Sequence, residues 1–225
     1  MKWKDVSVFK FQELEKIGAR TDIDLFEKSL LSVCIAFGLT PEELNNKGIK
    51  RVNTLIAKLE KVFVKPFDPQ APKRIGRYFL NYDPAKMTFG QYVELAYFLQ
   101  YPMKNAHYVL ATISRKMIMK NHPRRAEYFL GKRVDQVYGA MMLLRERFSR
   151  FNQEYSTLFG LSENASAAED FFNRRYGWTY SATMVAAHEG ITLDKTFLLP
   201  VRQALGDLAY LKAKGIYEAE QIKKK

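Results

Sequence analysis

Residues 40–63 read TPEELNNKGIKRVNTLIAKLEKVF, and this stretch carries the signals that decide the fold class. Thr40 can cap a helix, Pro41 suits the first helical position, and Glu43 can reach back to complete a capping box. The asparagines and glycine within 45–48 then interrupt that helix. A second apolar stripe follows at Val52, Leu55, Ile56, Leu59 and Val62/Phe63. The spacing predicts two amphipathic helices in succession.

The same signals recur on both sides of this stretch and predict a mainly α, multi-helix protein. Before it, Thr21 is expected to cap a helix that ends at Gly38. After it, Thr88 and Gln91 form a second predicted capping box. The other predicted helices run from Ser7 to Ile17, from Ala106 to Met117, from Arg133 to Phe148, over 165–175, over 177–188, and from Pro200 to a break at Gly215.

Residues 64–86 interrupt the helical pattern with four prolines and a short aromatic run. The aromatic residues of 75–82 favour a small β-hairpin or an arm near residues 73–83. The arm could fold onto its own subunit or reach a neighbouring one. We therefore expect an N-terminal helical unit at 1–63, a proline-rich linker or arm at 64–86, and a C-terminal helical domain at 87–225.

The chain carries a formal net charge of +12, concentrated in residues 102–150, where eleven basic residues face three acidic ones. Three basic doublets stand out: Arg115-Lys116, Arg124-Arg125 and Lys132-Arg133. Tyr128 and Phe129 lie between the last two doublets, and residues 122–125 are interpreted as a basic loop between helices. Such a segment favours contact with nucleic acid or with an acidic protein surface, although a solvated basic face has the same composition.

No arrangement of residues in the sequence suggests catalysis, and we expect a protein that is not an enzyme. The three histidines are scattered without the spacing of metal ligands, and no phosphate-binding loop or nucleophile elbow occurs. We therefore expect no catalytic residues, no cofactor and no metal. Cys34 is the only cysteine, so a disulfide within the chain is excluded. No apolar run approaches the roughly 20 residues of a membrane-spanning helix.

Several segments, taken in order, resemble the tail assembly chaperone-like proteins of tailed bacteriophages, including small baseplate-hub assembly proteins. The segments are the helices Thr21–Phe37 and Thr40–Leu44, the stretch Leu55–Phe67, the aromatic run Tyr78–Tyr82, the segment Thr88–Leu95, the motif Tyr176-Gly177-Trp178, Asp194, and the close Leu205–Lys212. The resemblance covers most of the chain.

The resemblance implies a non-enzymatic morphogenesis protein of the virion, assembled in the host bacterial cytoplasm. It would act as a ring-forming, homo-oligomeric subunit of the tail or of the head–tail connector, in contact with other phage proteins and away from membranes. One alternative is a transient tail assembly chaperone that binds the tape-measure protein. A second alternative is a basic nucleic-acid-binding protein.

Five residues within the resembling segments are candidates for contacts between subunits: Thr88, Gly90, Gln91, Trp178 and Tyr210. Gly90 falls in a first helical turn, where the missing side chain would let a neighbouring backbone approach closely, or would merely be tolerated. Trp178 is expected near a helix start, where its large ring could serve the core or an interface.

Overall fold

The computed structural model describes residues 2–64, 71–115, 122–159 and 167–224, with the backbone alone described at 159 and 167–175. Within these ranges the chain is mainly helical and carries one two-stranded antiparallel sheet, which confirms the predicted fold class. The α-helices are α1 (Val8–Ala19), α2 (Leu25–Phe37), α3 (Pro41–Asn45), α4 (Ile49–Val64), α5 (Phe89–Phe98), α6 (Pro102–Ile113), α7 (His122–Leu130), α8 (Val134–Glu154), α9 (Ser156–Phe159), α10 (Ala167–Glu189), α11 (Leu193–Thr196) and α12 (Val201–Lys223). The strands β1 (Arg74–Ile75) and β2 (Tyr78–Phe79) form a hairpin within the predicted range.

Local capping chemistry sets several helix boundaries where the sequence predicted them. Thr40 with Glu43, and Thr88 with Gln91, form capping boxes at the starts of α3 and α5. Gly38 ends α2 in the left-handed conformation, with a φ of 67°. These boundaries depend on residues within one turn of the helix end, so nearby sequence is enough to predict them.

The predicted start of α2 was wrong by one turn. Its cap is Asp24, whose carboxylate accepts a hydrogen bond from the Glu27 backbone N–H at 2.7 Å. Thr21 lies before the helix, beside an ion pair between Arg20 and Asp22. Aspartate caps as well as threonine does, and here the later residue caps the helix.

Three predicted interruptions are also wrong, because the residues concerned are helical. Residues 122–125 begin α7 rather than forming a loop, since proline is tolerated in a first helical turn, where its missing N–H is not needed. The break expected at residue 176 lies inside α10, which continues past Gly177. Gly215 lies inside α12, which continues to Lys223. A helical glycine costs only about 1 kcal/mol, which the flanking helical residues can offset.

The chain divides into two compact units that are each assembled from separate segments. The first unit contains Met1–Leu80, Tyr101–Ala111 and Asn121–Met142, and the second contains Asn81–Gln100, Thr112–Lys120 and Leu143–Lys225. Both units therefore cut across the boundaries expected from the sequence. Apolar stripes pair with complementary surfaces wherever these lie in the chain, so compact units need not follow chain order.

Each unit has its own buried cluster. In the first unit, α2, α3 and α4 contribute Val33, Ala36, Leu44, Val52, Leu55 and Leu59. In the second unit, Tyr92 of α5 is buried and stacks on Phe148 of α8, with ring centroids 4.8 Å apart. Within the described ranges, no helix combines the length and the apolar character needed to cross a bilayer.

Candidate binding surface

The hairpin of the first unit turns through Gly76 and Arg77, and its two faces differ. Ile75 pairs with Tyr78 across the strands, and Arg74 pairs with Phe79. Because neighbouring side chains on a strand point to opposite faces, the buried Ile75 and half-buried Tyr78 form the inner face. Arg74 and Phe79 form the exposed outer face, where 70% of Phe79 is accessible to solvent.

Gly76 is required at the turn for two reasons. Its φ is +56°, in the left-handed region that favours glycine and suits the first position of a two-residue hairpin turn. A Cβ at this position would also overlap the hydroxyl of Tyr128 in α7. The turn therefore rests directly on the Tyr128 hydroxyl.

Tyr128 links the hairpin to α7 through its ring and its hydroxyl. The ring packs edge-on against Tyr78, with centroids 5.1 Å apart. Burial alone would raise the pKa of the Tyr128 phenol, but hydrogen bonds from the Lys132 ammonium and the Arg77 backbone N–H, together with the two positive charges, lower it below its usual value. The phenol oxygen therefore lies close to the positive charges of both Lys132 and Arg77.

Backbone hydrogen bonds to the N-terminal segment hold Lys132 in place. The Val8 N–H donates to the Lys132 carbonyl at 2.9 Å, and the Val134 N–H donates to the Val6 carbonyl at 2.9 Å. Ser7 and Arg133 form a β-bridge between these two bonds. These bonds fix the backbone of the segment after α7, and the Lys132 side chain extends from it toward Tyr128.

Four cations of the first unit lie over aromatic rings around the hairpin. Arg77 lies 5.2 Å from the Tyr78 centroid and 5.5 Å from the Tyr128 centroid. Arg125 lies 4.9 Å from the Tyr78 centroid, and Lys132 lies 3.9 Å from the Tyr128 centroid. On the outer face, Arg74 lies 5.1 Å from the Phe79 centroid. We name the set Arg74, Arg77, Arg125, Lys132, Tyr78, Phe79 and Tyr128 the basic–aromatic cluster.

In the described part of the chain, three cations of the cluster carry positive charge that no nearby carboxylate neutralises. Among the residues that the structure describes, no carboxylate lies within ion-pair distance of Arg74, Arg77 or Lys132. The two contributing stretches, 71–79 and 122–133, contain seven basic residues and one acidic residue. Rings orient the cations at about 0.5–1 kcal/mol per contact while leaving them charged. The surface is therefore suited to bind an anionic partner.

The structure separates the basic residues predicted from the sequence. Arg125 and Lys132 join the cluster, and Arg124 is exposed in the first turn of α7. Arg133 forms an ion pair with Asp135. Arg115 has a side chain only 1% exposed and paired with Glu94, so it is a correction to the predicted contact set.

Lys116 lies outside the described residues. The sequence predicted a hairpin here but did not identify its members Arg74, Arg77, Tyr78 and Phe79 as contact residues. The sequence does contain a pattern that could have indicated them, which is a glycine-containing turn flanked by arginines and aromatic residues. The sequence does not show that this turn lies against α7.

Three of the predicted subunit contacts are internal to the second unit. Thr88 and Gln91 cap α5, and the Gln91 side chain is buried, donating to the carbonyls of Thr112 at 3.2 Å and Arg115 at 2.8 Å. The Gly90 N–H donates to the Phe197 carbonyl at 2.9 Å. A neighbouring backbone does approach Gly90, and it belongs to the same chain.

Trp178 and Tyr210 lie on α10 and α12 of the second unit. Trp178 is in mid-helix rather than near a helix start, and its ring packs edge-on against Tyr92 at 5.6 Å between centroids. Tyr210 is 55% exposed, with its ring 5.5 Å from that of His188. The tryptophan therefore contributes to the core, while the tyrosine remains at the surface.

A largely apolar groove of about 620 Å³ lies between α10 and α12 in the second unit. We name it the second-unit groove, and its lining includes Leu158, Trp178, Met184, Leu208 and Leu211. The Lys212 ammonium at its edge donates a hydrogen bond to the Thr157 carbonyl. The groove has the apolar character that an amphipathic helix could bind.

The described residues contain no group of three or more histidine, cysteine, aspartate or glutamate side chains that could hold a metal ion. Comparisons with protein-family models, with curated proteins and with solved structures find no match to this chain.

Proposed function

We propose that this chain is a non-enzymatic morphogenesis protein of a tailed-bacteriophage virion, a ring-forming subunit of the tail or of the head–tail connector. The order of motifs that resembles tail assembly chaperone-like proteins supports this setting. A ring subunit attaches to its neighbours through fixed surfaces rather than through a reaction site. Its place of action is the virion, after assembly in the host cytoplasm.

The observation that carries the proposal physically is the basic–aromatic cluster. Its cations are oriented by rings, and Arg77 and Lys132 have no carboxylate partner among the described residues. Such a surface gains electrostatic attraction when an acidic partner docks on it. In the proposed function, the cluster attaches this subunit to an acidic component of the particle.

The test is mass spectrometry of purified virions, with copy number measured against the major capsid protein. A ring subunit should be present at a fixed number of copies per particle, about a dozen to a few dozen, because a closed ring contains a set number of subunits. Phage encoding Arg77→Gln/Lys132→Gln should incorporate fewer copies. Lys50→Gln/Lys58→Gln removes the same charge from exposed positions of α4 and should incorporate normally. Absence of the protein from virions would overturn the ring proposal.

The second-unit groove favours a second candidate, the transient chaperone of the tape-measure protein. Its apolar lining suits the apolar face of a long helical client. This function predicts that the protein is abundant in infected cells and missing from virions. It also predicts that Met184→Glu, which places a charge in the groove, reduces recovery of the tape-measure protein with the chain, whereas Arg77→Gln/Lys132→Gln does not.

A further inference from the structure

We propose that the exposed end of α12 pairs antiparallel with α12 of a second copy of this chain, so that Ile222 of each copy enters the second-unit groove of the other. The inference goes beyond the proposed function, because it assigns a twofold contact between two copies in any setting. It follows from three properties of α12: an apolar face that extends past the packed part of the unit, a groove beside that face, and the order of the charges along it.

The apolar face of α12 continues past the part of the helix that packs in the second unit. Val201, Ala204 and Leu205 lie on one side of the helix and are fully buried. Farther along the same side, Leu208 and Leu211 line the second-unit groove. The spacing of three or four residues continues through the last turns, at Gly215, Ala219 and Ile222. This one face is therefore core at its start, groove in its middle and surface at its end.

The end of the face is open to a second helix. Residues 212–224 are all exposed, and 74% of Ile222 is accessible to solvent. Gly215 and Ala219 are small, so another helix can lie close to them. Helices in proteins are stabilised mostly by the packing of an apolar face, and a helical partner would give the end of α12 such packing.

The order of the charges beside this face fits a second copy in the antiparallel direction. Lys214 and Glu218 lie one turn apart on one flank, with the ammonium 3.8 Å from the carboxylate. When two copies of α12 run antiparallel about a twofold axis at Ile216, Lys214 of each copy lies level with Glu218 of the other. A parallel pair would bring like charges level, which is unfavourable. The helix end is therefore complementary to itself in the antiparallel direction.

The same arrangement places an apolar side chain in each groove. Ile222 lies six residues after Ile216, so it is level with the position six residues before Ile216 in the other copy. That position lies between Leu208 and Leu211, which line the groove together with Trp178. One twofold axis therefore covers both apolar ends and both grooves, as in an isologous contact.

The test is sedimentation velocity of the full chain over a range of micromolar concentrations. The chain should form dimers, and Ile222→Glu should weaken association about tenfold or more, because it places a charge in an apolar groove. Tyr217→Glu is the matched control, since Tyr217 is 62% exposed on the opposite side of the same helix end. This variant should associate as tightly as the unchanged protein.

A charge exchange tests the direction of the pairing. Lys214→Glu and Glu218→Lys should each weaken self-association about tenfold, because like charges then lie level between the two copies. An equimolar mixture of the two variants should associate again, since the acidic pair of one then faces the basic pair of the other. Each variant keeps its own like-charge pair in the mixture, so recovery reports a contact between copies rather than a change within the helix.

Several outcomes would overturn the inference. One is a chain that stays monomeric over this range, and another is a mixture that associates no better than the separate variants. A dimer that Ile222→Glu leaves intact, or that Tyr217→Glu weakens equally, would place the contact elsewhere. A monomeric chain that loses the tape-measure protein through Met184→Glu would assign the groove to a client helix. Virion copy number decides the ring proposal separately, and circular dichroism of each variant confirms that it folds.

Discussion

At the scale of single residues, Tyr128 shows how one side chain can organise a surface. Its hydroxyl lies against the Gly76 turn, close to the positive charges of Lys132 and Arg77. The Lys132 ammonium lies 3.9 Å from the centroid of the Tyr128 ring. The hairpin, the end of α7 and the positive charge are therefore coupled through one phenol group.

Gly76→Ala should destabilise the protein by about 1–3 kcal/mol, the usual cost of a strained left-handed residue, with the clash against Tyr128 added. In a chain of this size, each kcal/mol lowers the melting temperature by about 2–4 °C. The measurement is thermal unfolding followed by circular dichroism.

Gly215→Ala is the matched control for this change. Gly215 lies inside α12, and a Cβ added there would meet open space, so alanine should be neutral or stabilise by about 0.5–1 kcal/mol. Equal effects of the two substitutions would contradict the requirement for glycine at the hairpin turn.

At the scale of elements, the start of α5 is tied to two other segments of the second unit. The N–H groups of Phe89 and Gly90 donate to the carbonyls of Leu199 and Phe197 at 2.8 and 2.9 Å. The first N–H groups of a helix have no partner within the helix, and here carbonyls before α12 satisfy two of them. Gln91 adds a link to the end of α6.

Gln91→Ala should destabilise the second unit more than Thr88→Ala does. Thr88→Ala removes one cap bond, at a cost of about 1 kcal/mol. Gln91→Ala removes a bond to the Thr88 N–H and two bonds to buried carbonyls, at about 1–3 kcal/mol and toward the upper end. Urea unfolding measures both, with Thr88→Ser as the control that keeps the cap. A larger loss for Thr88→Ala would show that the buried amide is not the main link.

At the scale of the whole molecule, pH should act on the two units in opposite directions. In the first unit, burial lowers the pKa of His107, which lies 3.4 Å from the Gln12 amide nitrogen. In the second unit, burial and the nearby Glu189 charge raise the pKa of Asp207. Because the pKa of His107 is lower in the folded state, its contribution to stability is full above the unfolded-state pKa and is lost as the pH falls. Because the pKa of Asp207 is higher in the folded state, ionisation of this carboxyl above its unfolded-state pKa destabilises the fold.

Stability should fall as pH drops from about 7.5 through the ordinary histidine value of about 6.5, because protonation of the half-buried His107 opposes folding. His107→Asn keeps a polar atom near the Gln12 amide and removes the titration, so its melting temperature should change less over this window. Asp207→Asn should raise the melting temperature at pH 7.5. It should leave unchanged the fall in stability that His107 causes between about pH 7.5 and 6.5. Identical pH profiles for His107→Asn and the unchanged protein would refute the assignment.

Much of the secondary structure follows from short-range chemistry that the sequence displays. The capping boxes at Thr40 and Thr88, the Gly38 stop and the hairpin near 73–83 all depend on residues a few positions apart. The errors also have local causes. At Gly215 the sequence shows a residue that weakens helices, but not the flanking helical turns that outweigh it.

The candidate surface could be predicted only in part. Arg125 and Lys132 were found as basic residues near aromatic ones, whereas Arg77 belongs to a turn about 50 positions earlier in the chain. Arg115 looks equivalent to Arg125 in sequence, yet it is buried and paired with Glu94. Charge density along a chain does not say which charges reach solvent, because burial depends on the packing of distant segments.

The sequence by itself determined the mainly α class, the positions of several capped helix ends and the hairpin, because capping, turn chemistry and amphipathic period act within a few residues. Only the tertiary structure decided that Thr88, Gly90 and Gln91 are internal contacts, and that the hairpin lies on Tyr128 of α7. Those results depend on which apolar faces pack together across long separations. Local residue patterns do not predict which faces pack together, because many different pairings of helices bury a similar apolar area.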